Sequence, residues 1–487
     1  MHKAGQIYLG KGETHQYLDL KLANRHGLIA GATGTGKTVT LRNLAEGFSA
    51  AGVPVFAADI KGDLTGISTQ GSHEGKPFLA KRAKEIGFTD HYQFSGYPTL
   101  YWDLFGEQGH PVRATVSEIG PMMLARLLDL TDVQEGVLNV AFNVADDQQL
   151  MLLDLKDLRA ILSFVSDHAK ELRGEYGNVS SSSVGAIQRD LLVLENQGAE
   201  HFLGEPALNL SDFIRNDFSG HGVINLLAAT KLMQSPKLYA IFLLWLLSEL
   251  FEELPEVGDL DKPKIIFFFD EAHLLFDGAP DALIDKITQV VRLIRSKGVG
   301  IFFITQNPAD IPDAVLGQLG NRIQHALRAY TPKERKAIKA AADSFRENPK
   351  FDTKTAITEL GIGEALVSTL SDDGVPSVVD RTLIRPPSSR LDPLSADELA
   401  TVRDRSPLKG KYDDTVDRES AYELLKARAA EQAKREAERE ATEDEKPRGR
   451  SSRSDSLWQA ASKSAVRAIG SQVARQLFRG LLGSLLR

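Results

Sequence analysis

The chain has 487 residues, too many for one ordinary domain, so two or three units are expected. A composition of 42% hydrophobic and 25% charged residues is that of a globular protein with a substantial core, and a net charge of −8 excludes nucleic-acid binding through overall basicity. With no cysteine, disulfides, thiolate catalysis and cysteine zinc sites are excluded as well, and the first ten residues carry no apolar leader core; a cytoplasmic location is the expectation.

Residues 1–23 read as a short N-terminal segment, with strand and turn from Ile7 to Leu20. The core begins near Asn24 and its first part is expected to run to residue 100. An apolar run, His26 to Ala30, leads into Gly31-Ala32-Thr33-Gly34-Thr35-Gly36-Lys37-Thr38, followed by a helix-like run from Val39 to Ala50. Strand, glycine-rich loop and helix in that order is the context a phosphate-binding loop requires. The glycines free backbone N–H groups to form an anion nest at a helix N-terminus. Candidate nucleotide-binding residues are Gly31, Thr33, Gly34, Thr35, Gly36, Lys37, Thr38 and Val39. Lys37 can reach the terminal phosphates of ATP, and the Thr38 hydroxyl can coordinate Mg2+.

Val53 to Ala58 is a second strand, ending at the polar turn Asp59-Ile60-Lys61-Gly62-Asp63. For Asp59 and Asp63, turn chemistry and a role in the site are equally open. Residues 101–220 are expected to be a mostly helical insertion, with helical spacing at Met122–Leu130, Val137–Val144, Leu158–Val165 and Ile187–Leu194; Gly174 to Ser183 reads as a loop. The most apolar run, Leu238 to Leu247, is too short for a membrane span and ends in Glu249, Glu252 and Glu253, so it reads as a buried helix.

Residues 221–387 return to the core. Ile265 to Phe269 is five apolar residues in a row, as a parallel strand buried on both faces requires. Asp270 and Glu271 follow. Asp270 is the second candidate Mg2+ ligand, and Glu271 the group that polarises the attacking water. Gly300 to Thr305 is another buried strand. It ends at Gln306, whose amide can touch both the γ-phosphate and the water. Strands are expected over Gln324–Ala329, Glu364–Leu370 and Pro376–Ile384, and Thr331–Asp343 is a basic helix that reads first as a solvated face, with a DNA contact as the alternative. The compact part is expected to end at Pro386-Pro387. Residues 388–456 read as a charged, helix-prone and then disordered linker, and residues 457–487 as a basic amphipathic helix. Docking on its own protein, an acidic partner and peripheral membrane contact are open uses of that helix.

Phosphoryl transfer needs positive charge at the γ-phosphate, and an arginine from a neighbouring subunit can supply it. Arg295 is the first candidate, with Arg292 and Arg322 as alternatives.

The fold class read from these elements is α/β, with a mostly parallel sheet, a helical insertion and a charged helical tail. GATGTGKT, IIFFFDEAH and GVGIFFITQNP, in that order, resemble the HerA–FtsK superfamily of RecA-like P-loop ATPases. The stretch from NRHGLIAGATGTGKT to AADIKGDLTGI, with LGQLGNRIQHALRAYTP, resembles a bacterial HerA-like family more specifically, over about Asn24 to Arg385. The resemblance implies an ATP-hydrolysing homo-oligomer, a hexameric ring being favoured, that translocates DNA in helicase-like fashion. It implies Lys37 and Thr38 at phosphate and Mg2+, Asp270 and Glu271 at Mg2+ and water, Gln306 as the sensor and Arg295 as the arginine acting in trans. HerA also carries an N-terminal β-barrel that binds a nuclease; about two dozen residues precede the core here, which leaves a nuclease partner open. The alternative reading is an ATP-gated scaffold or protein-acting switch.

Overall fold

A computed structural model describes residues 5–277 and 281–444. Among them, twelve strands form one sheet in the order β2-β1-β12-β11-β10-β3-β9-β8-β4-β7-β5-β6. In chain order these are β1 (Gln6–Lys11), β2 (His15–Asp19), β3 (Gly27–Ala30), β4 (Val55–Asp59), β5 (Thr99–Asp103), β6 (His110–Pro111), β7 (Ile224–Ala228), β8 (Ile265–Phe269), β9 (Val299–Thr305), β10 (Asn321–Gln324), β11 (Glu364–Ser368) and β12 (Asp380–Ile384). From β10 across to β6 every pair is parallel; β11, β12, β1 and β2 add an antiparallel edge. The expected α/β, mostly parallel sheet is therefore present.

The helices are α1 (Lys37–Ala50), α2 (Pro77–Glu85), α3 (Val116–Leu127), α4 (Asp132–Asp147), α5 (Leu155–Asp167), α6 (Ala169–Tyr176), α7 (Ser181–Asn196), α8 (Ala199–Phe202), α9 (Pro236–Glu253), α10 (Asp281–Leu293), α11 (Asp313–Leu316), α12 (Pro332–Asp343), α13 (Thr353–Glu359), α14 (Ala396–Asp404) and α15 (Ala421–Asp444). Their starts follow local chemistry. Thr115 and Glu118 exchange the two hydrogen bonds of a capping box at α3, and Thr331 and Glu334 do so at α12, with Pro332 at the first helical position.

The central strands are buried on both faces, so their side chains divide with period two. Ile266 and Phe268 of β8 join Leu41, Leu44 and Phe48 of α1 in one core. Ile265, Phe267 and Phe269 join α9 and the helices α3–α8 in the other. Each Leu or Phe so buried contributes about 1.5–3 kcal/mol relative to exposure. α9, with Leu238 to Leu247 buried, is the expected core helix. No helix among the described residues is long and apolar enough to cross a membrane.

Some boundaries move. β5 and β6 lie at the start of the stretch read as helical, because β5 pairs with β7, far along the chain. The Gly174–Ser183 loop shrinks: α6 continues to Tyr176, and Ser180 caps α7 by accepting the Ser183 N–H at 3.1 Å. The strand expected at Gln324–Ala329 is instead Asn321–Gln324.

The compact unit also does not stop at Pro387; it extends to Leu425. Glu46 on α1, fully buried, accepts from Arg385 (3.2 Å), Ser388 N (3.0 Å) and Ser389 N (2.9 Å), and so anchors the chain past the two prolines. Further on, the hydroxyl of buried Tyr412 donates to Asp212 at 2.6 Å, and its carbonyl accepts from Arg113 at 2.8 Å. A second unit starts at Lys426; of it the structure describes the remainder of α15, a charged helix that is exposed over residues 426–438. The amphipathic segment 457–487 lies outside the described residues.

Candidate nucleotide site

The site forms at the C-terminal ends of β3, β8 and β9, near the middle of the sheet, where an open parallel sheet has its ligand crevice. The glycine-rich loop between β3 and α1 is held on three sides by backbone. Gly31 N donates to Thr305 O (3.2 Å), Ala32 N to Ala326 O (2.8 Å), and Gly363 N to Thr35 O (3.0 Å). Gly31, Gly34 and Gly36 have φ of 155°, 76° and 114°. A Cβ on Gly31 would lie 2.5 Å from Cβ of His325, so glycine is required there by space as well as by backbone angle.

Lys37, at the first position of α1, donates to Gly31 O (2.6 Å) and Ala32 O (3.2 Å). Burial lowers its pKa, against the attraction of Glu271 and Asp270. Beneath the loop lies His325, fully buried, with Nε2 2.8 Å from Thr40 Oγ1 on α1. Burial pushes its pKa down to about 4, which makes it a neutral support rather than a charge.

Asp270 follows β8 directly, and its Oδ1 accepts from Glu271 N at 2.9 Å. Burial, then repulsion from Glu271, raises the Asp270 pKa to about 6. Burial also pushes Glu271 upward, but Lys61, Gln306 and Lys37 outweigh it, and the net shift is down. Adjacent carboxyls are thus driven apart, the pattern of two acids with different tasks. Glu271 itself has φ 45° and ψ 49°, a left-handed conformation uncommon for a residue with a Cβ.

Gln306 lies one residue past β9. Its Nε2 is 3.3 Å from each oxygen of Glu271, and its Oε1 accepts from Thr33 Oγ1 on the loop at 3.3 Å. Three sequence-distant groups are so brought into one chain of contacts: loop hydroxyl, strand-end amide, carboxylate. Two more join that were not among the candidate site residues. Lys61 Nζ lies 3.0 Å from Glu271 Oε1, and His273 Nδ1 lies 3.5 Å from Oε2. The one signal for Lys61 was its place in the polar turn after β4; nothing in the sequence marked His325. In that turn Asp59 accepts from Asp63 N (3.1 Å) and Leu64 N (3.0 Å), so its carboxylate shapes the turn.

The donor set fits a magnesium nucleotide. One buried carboxylate (Asp270) and one hydroxyl (Thr38) suit an ion that keeps several waters and phosphate oxygens as ligands, and no cluster of three or more His, Asp or Glu able to hold a metal occurs among the described residues. Beside Gly36 and Val39 lies a mostly apolar cleft of about 360 Å3, lined by Phe78, Leu79, Ile362 and Pro386 and edged by Arg82 and Arg385.

Arg295 is not brought to this site. It sits in the turn Ile294–Lys297 before β9, at the opposite end of that strand from Gln306, roughly 20 Å away at the usual strand rise. Arg322 donates to Leu319 O and Leu316 O, both at 3.2 Å, and Arg292 is exposed on α10. None of the three reaches Glu271 of its own chain.

Comparison with known proteins gives a consistent family. The model of the family "Helicase HerA-like C-terminal" matches residues 6–487. The DNA double-strand break repair helicase HerA of Sulfolobus acidocaldarius is 27% identical over 107 residues, 22% of this chain and 20% of that protein. A "probable helicase" of Methanocaldococcus jannaschii is 29% identical over 120 residues, 24% of this chain and 21% of that one. The match thus spans about a fifth of the length of these curated relatives. Among solved structures, the bacterial conjugative coupling protein TrwB superposes with a TM-score of 0.51 at 14% identity, over 80% of this chain and 92% of that chain. TrwB in complex with a non-hydrolysable GTP analogue gives 0.50 at 15% identity, over 80% and 93%. VirB4 of Thermoanaerobacter pseudethanolicus gives 0.50 at 16% identity, over 79% and 97%. At such identities these structures share the fold.

Proposed function

The chain belongs to the helicase HerA-like C-terminal family, and from that membership we propose that it is an ATP-hydrolysing motor that translocates DNA as a homo-oligomer. The observation that carries the hydrolytic part is the contact chain from Thr33 through Gln306 to Glu271. A site for binding alone has no use for an ionised carboxylate tied to the phosphate loop through an amide.

On this reading the loop N–H groups and Lys37 bind the β- and γ-phosphates, and the apolar cleft beside Val39 takes the base. Thr38 and Asp270 would hold Mg2+, which supplies charge neutralisation at the phosphates. Glu271 orients a water and accepts its proton as the water oxygen bonds to the γ-phosphorus. The bond from that phosphorus to the bridging oxygen breaks, leaving ADP. Gln306 reports the γ-phosphate to Glu271. Arg295, at the opposite end of β9, serves the site of a neighbouring copy. DNA is the proposed substrate because a relative of the family is a DNA double-strand break repair helicase.

Phosphate release by the purified chain, with and without DNA and with the oligomeric mass measured alongside, tests this. Turnover abolished by Lys37→Ala and raised by DNA is expected. No turnover would sink the hydrolytic reading. Turnover indifferent to DNA, with no DNA binding at low salt, would sink the nucleic-acid part and favour a protein-acting switch.

A further inference from the structure

The hydrolytic reading leaves Lys61 without a task. Lys61 comes from the turn after β4, far in sequence from both the phosphate loop and the acidic pair, yet its ammonium lies on Oε1 of Glu271 at 3.0 Å. We propose that Lys61 is a positioning residue for hydrolysis, one that holds the Glu271 carboxylate in a single orientation while Gln306 couples it to the loop.

Three observations support this. First, the turn that carries Lys61 is pinned. Ala229 N donates to Asp59 O (3.0 Å), Thr230 Oγ1 to Ile60 O (3.0 Å), and Arg42 Nη2 to Asp63 O (2.6 Å). The Asp59 carboxylate closes it from within through Asp63 N and Leu64 N. A rigid base aims a flexible lysine; a release latch would need the opposite.

Second, the two holds on Glu271 coexist. Lys61 takes Oε1 while Gln306 Nε2 stays 3.3 Å from both oxygens. The ion pair therefore does not displace the sensor, as an inhibitory contact would. Third, Lys37 is committed elsewhere, donating to Gly31 O and Ala32 O. Glu271 is deeply buried, with side-chain exposure of 6%, next to another carboxylate, and stands where a polyanion is to bind. A carboxylate so placed turns toward the cation that holds it, and Lys61 Nζ on Oε1 sets that direction. Lys61, whose side chain is 42% exposed, gives that cation at little cost in folding.

The inference rests on the hydrolytic reading, and the test separates the two. Steady-state phosphate release is measured on the full chain for wild type, Lys37→Ala, Lys61→Met and Lys61→Arg, with melting temperature recorded for each. Lys61→Met is expected to lower kcat about 10–100-fold, the usual effect of losing a group that orients a reacting one. KM for ATP should move by less than about threefold, because the contact is to Glu271 and not to the nucleotide. The melting temperature should stay at the wild-type value, and Lys61→Arg should recover most of the rate. A Lys61→Met chain as fast as wild type, or faster, overturns the inference, as does Lys61→Arg being as slow as Lys61→Met. Wild type without any turnover overturns the hydrolytic reading itself, and the inference with it.

Discussion

Nε2 of Gln306 stands 3.3 Å from both carboxylate oxygens of Glu271, while the Oε1 of the same amide accepts from Thr33 on the phosphate loop. One side chain thus reads the loop with its oxygen and the carboxylate with its nitrogen. Gln306→Ala should lower kcat by about 10²-fold with nucleotide affinity retained, as loss of one positioned donor does. Glu271→Gln should bind nucleotide and turn over about 10²–10⁴-fold more slowly. Rapid-mix phosphate release and equilibrium binding with a fluorescent nucleotide give the two quantities separately; affinity falling in step with kcat would contradict the assignment.

Arg295 lies across the sheet from the site of its own chain. If it serves a neighbour, Lys37→Ala and Arg295→Ala chains, each inactive alone, should regain turnover when mixed and reassembled. In a head-to-tail ring roughly a quarter of the interfaces would pair an intact loop with an intact arginine. Mixtures no more active than the separate variants would remove Arg295 from the site.

Gly31 faces Cβ of His325 at 2.5 Å for any added methyl and holds φ at 155°. Gly31→Ala should therefore push the loop off its three backbone anchors. With strain of about 1–3 kcal/mol, the Kd for ATP with Mg2+ should rise roughly 10–100-fold. Isothermal calorimetry on the folded variant checks this, and an unchanged Kd would show that the loop tolerates the displacement.

His26 is fully buried between two fixed partners: Ile301 N donates to Nδ1 at 3.0 Å, and Nε2 faces Val291 O at 2.8 Å. Only the neutral ring satisfies both. Burial pushes its pKa down from 6.5 to about 4. The unfolded chain therefore binds more protons between those values, so stability is full above pH 6.5 and falls as pH drops toward 4, by about 3 kcal/mol for this group. In urea melts over that window, a His26→Gln chain should lose less stability than wild type, so that the gap between them closes with acid. Parallel curves would refute the assignment.

Glu46 and Arg385 form a buried pair, with side-chain exposures of 0% and 9%. Glu46→Ala leaves the buried guanidinium without its counter-charge, though still on the carbonyls of Tyr8, Asn43 and Pro386, and two backbone N–H groups without their acceptor. A loss of about 3–5 kcal/mol is expected, seen as a lower denaturation midpoint. A midpoint unchanged from wild type would mean that the prolines and the chain after them do not depend on this anchor.

The phosphate loop and the acidic strand were legible in the sequence for a physical reason. A polyphosphate is bound by the backbone of one continuous loop, and a strand buried on both faces must read as an unbroken apolar run, so Gly31–Thr38 and Ile265–Glu271 each carry their own context. The sheet class followed from the same runs. β5 was not legible, because Thr99–Trp102 becomes a strand only by pairing with Ile224–Leu227. Nor was the true end of the compact unit, since the charged stretch after Pro387 is held by Glu46, Asp212 and Arg113, all contributed from elsewhere. Lys61 and His325 belong to the site only because parallel strands distant in sequence end side by side. Local residue pattern determined which loop can bind phosphate and which amide ends the neighbouring strand; the order of strands in the sheet decided which cation and histidine surround it.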